Sequence, residues 1–169
     1  DVEEPNDLLF FPDASQTGED EINQKIPVID PSKCIYCRKC ADYCEFNALV
    51  VIPPAAFAEV NESLCHSCGA CLVACKHNAI TEKNKPVGRV SFFDIYPGNS
   101  LVSGKLEIGS AMQTMLIREL KKRAETDAGL IIYDAPPGTS CPVVETIIGS
   151  DYIILVTEPT PFGLYDLKL

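Results

Sequence analysis

Eight of the nine cysteines in this 169-residue chain fall into two runs of identical spacing: Cys34, Cys37, Cys40, Cys44 and Cys65, Cys68, Cys71, Cys75. Each run reads C-x2-C-x2-C-x3-C, an iron–sulfur spacing. Two residues between successive cysteines let one loop wrap three corners of a [4Fe-4S] cube, while the fourth cysteine of the run reaches the other cube. On that rule Cys34, Cys37, Cys40 and Cys75 hold one cluster, and Cys65, Cys68, Cys71 and Cys44 hold the second. Structural zinc, the main competitor, takes ligands as two pairs and not as two evenly spaced quartets. The chemistry expected of two such clusters is single-electron movement, with the chain supplying ligands, burial and hydrogen bonds to sulfur.

The elements that must position these thiols repeat every 31 residues. Ile29-Asp30 matches Val60-Asn61, the cysteines match one for one, and Asn47-Ala48-Leu49 matches Asn78-Ala79-Ile80. Duplication of this kind marks halves that complete each other. Each half reads as strand, cysteine loop, short helix from the third cysteine, then strand (48–52 and 79–82). Together they predict a ferredoxin-like α+β module over residues 26–84, with Pro53-Pro54 as a rigid extended joint. Glu45 and Lys76 stand where the bacterial pattern has proline after the fourth cysteine, which alters the local turn. Gly69 lends the second loop flexibility, whereas Arg38 and Lys39 bring positive charge that raises the potential of the first cluster. With four thiols per cluster already supplied, His66 and His77 read as partly exposed loop residues.

Composition narrows the rest. Twenty-four acidic against 14 basic residues give a formal net charge of -10, which argues against binding nucleic acid or an anionic membrane through bulk electrostatics. No apolar run is long enough for a transmembrane segment, and the first residues lack the pattern of a signal peptide, so a cytoplasmic, reducing setting is expected. The absence of an initial methionine, and an end a few residues into a fresh element, suggest a piece of a longer polypeptide. Residues 13–25, polar and aperiodic, read as a solvated linker.

From residue 85 the texture changes. Strands are predicted at 89–94 and, after the turn residues Pro97-Gly98-Asn99, at 101–108. Ser110 can cap an amphipathic helix carrying Met112, Met115, Leu116 and Leu120 on one face and Arg118, Lys121, Lys122 and Arg123 toward its end. Apolar strands at 130–133 and 152–156, with a short helix at 142–148 between them, point to an α/β fold with a parallel sheet covered on both faces. That α/β region, residues 1–25 and 85–169, is expected to be interrupted by the cysteine module.

Several stretches resemble a family. Asp1-Val2-Glu3-Glu4-Pro5-Asn6, the double cysteine module, the run from Asp134-Ala135-Pro136-Pro137-Gly138 to Pro142, and the run from Thr157 to Leu164 together look like MinD/ParA-type P-loop ATPases with an inserted ferredoxin domain. The resemblance implies an incomplete P-loop NTPase-type parallel-sheet fold, with ATP and Mg2+ bound in the intact protein and sandwiched in a homodimer. Asp134 would then be the carboxylate that acts on magnesium through water, and Gly138 a γ-phosphate contact through its N–H. Asp1 would position the attacking water, with Asn6 in support, and Cys141 reads as a packed thiol beside the nucleotide switch, with a redox or intersubunit role as the alternative. The phosphate-binding loop itself is absent: the stretch from Gly98 to Leu106 has the wrong glycine spacing and no Ser or Thr for magnesium. ATP hydrolysis by this chain alone is therefore not expected. The leading expectation is a two-cluster electron-transfer unit within such an ATPase, serving a redox partner protein. Its rivals are a carrier or scaffold that hands clusters to an acceptor, and a ferredoxin module on a catalytically inactive support.

Overall fold

In the computed structural model, which describes residues 1–124 and 129–168, the elements run in chain order as follows. They are β1 (Ser15–Ile29), α1 (Lys39–Asp42), β2 (Leu49–Ile52), β3 (Phe57–Val60), α2 (Ala70–Ala74), β4 (Ile80–Tyr96), β5 (Asn99–Leu106), α3 (Gln113–Ala124), α4 (Cys141–Ile147) and α5 (Pro161–Asp166). The chain divides into two compact units. One comprises Asp1–Ile22, Gly88–Ile108 and the residues from Met112 onward, and the other comprises Asn23–Val87 with Gly109–Ala111.

The first unit is organised by a hairpin. Strands β4 and β5 pair antiparallel from Gly88↔Leu106 to Tyr96↔Asn99, with a register shift between Asp94 and Tyr96. Only Pro97 and Gly98 connect them. Proline at the first loop position and Gly98 at φ +80° suit a tight turn, and two residues can join only antiparallel neighbours, because a parallel pair needs a crossover of about a dozen or more. Helix α3 lies directly on this hairpin, burying Leu116 and Ile117, with Met112 buried just before its start. It can approach so closely because two facing positions lack a side chain. A Cβ at Gly88 would sit 2.5 Å from the Lys105 carbonyl oxygen and 2.7 Å from Leu116 Cδ2, and one at Gly104 would sit 2.6 Å from Leu120 Cδ1. Its last turn carries Lys121, Lys122 and Arg123, a favourable placement against the helix dipole.

Strand order in the main sheet is β1-β4-β5, and this corrects two expectations. Residues 13–25 are not a linker, because most of them form β1. It is an edge strand, where exposed charge is normal and guards against further pairing, so its polarity hid it. Glu19 accepts hydrogen bonds from Arg89 (3.5 Å) and from the Ser91 hydroxyl (3.1 Å), and Asp20 accepts one from Arg123 (3.0 Å). The parallel-sheet α/β fold is likewise overturned. The strand pairs β2–β3 and β4–β5 are both antiparallel, and the apolar runs at 130–133 and 152–156 are not strands. Leu130, Ile132, Ile154 and Val156 are largely exposed. A short apolar run is compatible with a buried strand, but periodicity alone does not supply the neighbours that such a strand requires.

In the second unit β2 and β3 form a small hairpin, Leu49↔Val60 through Ile52↔Phe57. Pro53–Ala55 makes a tight 3-10 turn that closes it, with Ala56 left-handed at φ 47°, where an extended joint was expected. The core here is small and centred on Ile26, Ala48 and Cys65, with Cys44 and Val60 packed against it.

Candidate iron–sulfur centre

The 31-residue repeat in the sequence becomes an approximate two-fold repeat of hydrogen bonds. Asp30 N–H donates to the Ala79 carbonyl and Asn61 N–H to the Ala48 carbonyl, both at 2.7 Å, so each half opens by pairing with the end of the other. At the start of each cysteine loop a side-chain oxygen turns the chain. Asp30 Oδ1 accepts from the Ser32 N–H (2.9 Å) and hydroxyl (2.6 Å), and Asn61 Oδ1 accepts from the Ser63 N–H (3.1 Å) and hydroxyl (2.6 Å). These are Asx turns, the local structure that Asp, Asn and Ser favour. The Ser32 bonds, with Lys33 adding to them, hold the Asp30 carboxyl below its ordinary value.

Three left-handed positions recur in register: Tyr36 and Ser67 (φ 55° and 54°), Arg38 and Gly69 (67° and 73°), and Asn47 and Asn78 (51° and 50°). Residues other than glycine adopt this conformation at a cost of roughly 1 kcal/mol or more, and its repetition at matched places shows that the loop shape itself is required. Gly69 therefore serves shape, not flexibility: Arg38 takes the same conformation without being glycine.

These loops bring the thiols into two groups. Cys34, Cys37, Cys40 and Cys75 border one cavity, together with Ile35 and His77. Cys65, Cys68, Cys71 and Cys44 border another, together with Phe46 and His66. The fourth cysteine of each run thus lies with the first three of the other. The backbone turns N–H groups to sulfur, Tyr36 to Cys34 Sγ at 3.4 Å and Ala48 to Cys44 Sγ at 3.3 Å. His66, an exposed loop residue as expected, stacks on Phe46 with ring centroids 3.8 Å apart.

The donor set fits [4Fe-4S] clusters: four thiols around each cavity, with amide donors to sulfur. Among the described residues no three His, Cys, Asp or Glu side chains converge on a single-ion site; thiolates bound to separate corners of a cube have no need to. Burial pushes the Cys40 thiol up, and pushes Cys71 to about 11, with neighbouring cysteines adding to the effect. A thiol raised in this way must give up its proton to bind iron as a thiolate.

The residues assigned by resemblance to a nucleotide are only partly brought together. Asp1 and Asp134 border one wide cavity of the first unit, where the Asp1 nitrogen lies 2.9 Å from the Asp134 carbonyl oxygen. Asn6 instead precedes a 3-10 turn, Asp7–Phe10, and Gly138 is a turn glycine at φ +92°; neither borders that cavity. Cys141 is exposed, not packed. What the sequence did not reveal in this unit is Lys121, whose ammonium is buried against α4.

Comparison with known proteins locates the chemistry in the cysteine segments. The 4Fe-4S binding domain family matches residues 27–50 and 58–81, so the chain carries two ferredoxin-type iron–sulfur segments. An uncharacterized protein of Methanocaldococcus jannaschii is 32% identical over 169 residues, covering 98% of this chain and 57% of that protein. A second uncharacterized protein of that organism is 34% identical over 108 residues, covering 63% and 39%. The polyferredoxin-like subunit of an aliphatic sulfonate oxidoreductase from Pyrococcus furiosus is 36% identical over 69 residues, covering 40% and 39%. The chain thus spans about half the length, or less, of these relatives. These findings overturn the resemblance to MinD/ParA-type ATPases: the matched family is an iron–sulfur one, and the short flanking motifs carry little weight against an antiparallel sheet. ATP, Mg2+ and an ATP-bridged homodimer rested on that resemblance alone and have no other support. Among the described residues no helix is long and apolar enough to cross a membrane.

Proposed function

We propose that the chain is a two-cluster electron-transfer module, with Cys34, Cys37, Cys40 and Cys75 holding one [4Fe-4S] cluster and Cys65, Cys68, Cys71 and Cys44 the other. The observation that carries the reading is the crossed grouping of the thiols around two cavities. When bound, such clusters accept and release one electron each with little rearrangement. The chain's own contribution is to fix eight thiols on two strained loops, to direct amide N–H groups at sulfur, and to exclude water at Cys65 and Cys71, which are buried. A redox partner protein supplies or removes the electrons, and a reducing compartment suits so many thiols.

A cluster carrier needs thiols that let go. Here Cys44 and Cys65 belong to the packed core of their unit, which favours retention. Anaerobic reductive titration of the iron-loaded protein decides between the two. Uptake of about two electrons per chain, reversible over repeated cycles with iron retained, is expected. Transfer of iron and sulfide to an apo-protein, faster than the redox cycle completes, would establish the carrier instead.

A further inference from the structure

The two cavities are near copies in backbone and ligands but not in charge. At the first, Lys33 pairs with Asp30 (3.3 Å) and Arg38 with Asp42 (3.8 Å), so these four charges cancel. Lys39 and Lys76, adjacent to Cys40 and Cys75, remain as a net charge of +2. At the second, Lys25 and Glu82 border the cavity together, and Glu45 follows Cys44. These three charges sum to -1. Both cavities open to solvent, since Cys37 and Cys68 are each exposed. Access therefore does not distinguish them, and charge does.

Resting on the electron-transfer reading above, we propose that the face bearing Lys39 and Lys76 is where the redox partner docks, and that this partner is an acidic protein. Two consequences of the same charges act together. Positive charge beside the Cys34, Cys37, Cys40 and Cys75 group stabilises its reduced form and makes it the higher-potential site, so an electron that enters elsewhere settles there. The same charge draws a negatively charged surface to that edge, on a molecule whose overall charge of -10 would otherwise repel it. Lys33 and Arg38, exposed beside exposed Ile35 and Cys37, extend the face with donors for carboxylates. Transfer balances at one electron: the acceptor carried by the partner is reduced by one as the chain is oxidised by one.

The test uses the fully iron-loaded chain, with a Lys39→Glu/Lys76→Glu variant that turns the local +2 into -2. Oxidation of the reduced protein is followed by stopped flow with two probes, trianionic ferricyanide and tricationic hexaamminecobalt(III). Taking variant against parent for each probe cancels their different driving forces. At low ionic strength the variant should lose about tenfold in rate with ferricyanide and gain with the cobalt complex, and both differences should fade at high salt. In a redox titration followed by EPR, the higher of the two potentials should fall and the lower stay in place. The neutral Lys39→Gln/Lys76→Gln pair should give smaller changes of the same sign, which keeps the test open if the charge reversal disturbs cluster loading. A Glu45→Lys variant, which changes charge at the other cavity, should leave the ferricyanide rate unchanged.

Unchanged rates in both Lys39/Lys76 variants, or a larger effect from Glu45→Lys, would overturn the proposal. So would loss of binding to single-stranded DNA with rates intact, which would make the face a nucleic-acid site. Failure of the underlying reading looks different: the parent chain itself then shows no reversible reduction.

Discussion

Replacing Lys121 by methionine should destabilise the first unit by about 3 kcal/mol. The lysine is 9% exposed, and its ammonium donates to the carbonyls of Glu145 (3.1 Å), Thr146 (2.9 Å) and Ile148 (2.6 Å) at the C-terminal end of α4. It also lies 4.9 Å from the centre of the Tyr133 ring. The last carbonyls of a helix have no partners within it, and a cation there satisfies them and opposes the dipole. A hydrogen bond to a charged group contributes roughly 1.5–3 kcal/mol net. Ile148 is exposed, so its carbonyl can turn to water, whereas Thr146 is 5% exposed and cannot. Counting one full loss at Thr146, a partial one at Glu145 and little at Ile148 gives about 3 kcal/mol. Methionine keeps the aliphatic stem, which removes packing from the comparison. Urea unfolding of the iron-loaded protein by far-ultraviolet circular dichroism measures the change, with cluster absorbance as a separate monitor of the cysteine unit. Arginine should recover only part of the loss, because its flat guanidinium cannot aim three donors at converging carbonyls. A methionine variant within about 0.5 kcal/mol of the parent would refute the reasoning, since that is the range of surface substitutions without structural consequence.

Two further outcomes follow from the same unit. Gly88→Ala should cost about 1–3 kcal/mol by overpacking, because the new methyl meets the Lys105 carbonyl as well as the more yielding Leu116 side chain; chemical denaturation measures it, and a neutral result would mean that α3 does not rest on this strand. Glu145 has its carboxyl held below the ordinary value chiefly by the hydrogen bond from Arg118, with a contact of 2.6 Å. A carboxyl lowered in the folded state contributes stability above the ordinary 4.5 that disappears as pH falls through the depressed value. Glu145→Gln should therefore narrow the gap in stability between neutral and acid pH, and an unaltered pH profile would show that the pair is inert.

How much of this was legible beforehand depends on what kind of signal each residue carries. The cysteine quartets and the 31-residue repeat name their own chemistry, because thiol spacing is set by the cluster and not by the surrounding fold. Helix α3 was visible through Leu116 and its neighbours, although it starts at Gln113, three residues after Ser110. Strands β4 and β5 were visible on either side of Pro97-Gly98, but their antiparallel pairing was missed, because the apolar runs further on were read as strands of a parallel sheet. Strand β1 was hidden because an edge strand with Glu19 and Asp20 on its surface looks like a linker until Arg89 and Arg123 are seen opposite. Residues 130–133 failed the other way, since an apolar run promises burial that only tertiary neighbours can deliver. Lys121 carried no signal at all: among the other basic residues of α3, nothing in the sequence marks it as the one turned inward.

The crossed use of the fourth cysteines is tested most directly by iron content in two double variants. Cys37→Ser/Cys75→Ser strikes two thiols of one cavity, and Cys37→Ser/Cys44→Ser strikes one thiol of each. From a parent holding about eight irons per chain, the first variant should keep one intact cluster of about four, with a normal EPR signal, while the second should keep no intact cluster. The reverse pattern, an intact cluster in Cys37→Ser/Cys44→Ser and none in Cys37→Ser/Cys75→Ser, would show that each run holds its own cluster and would contradict the account.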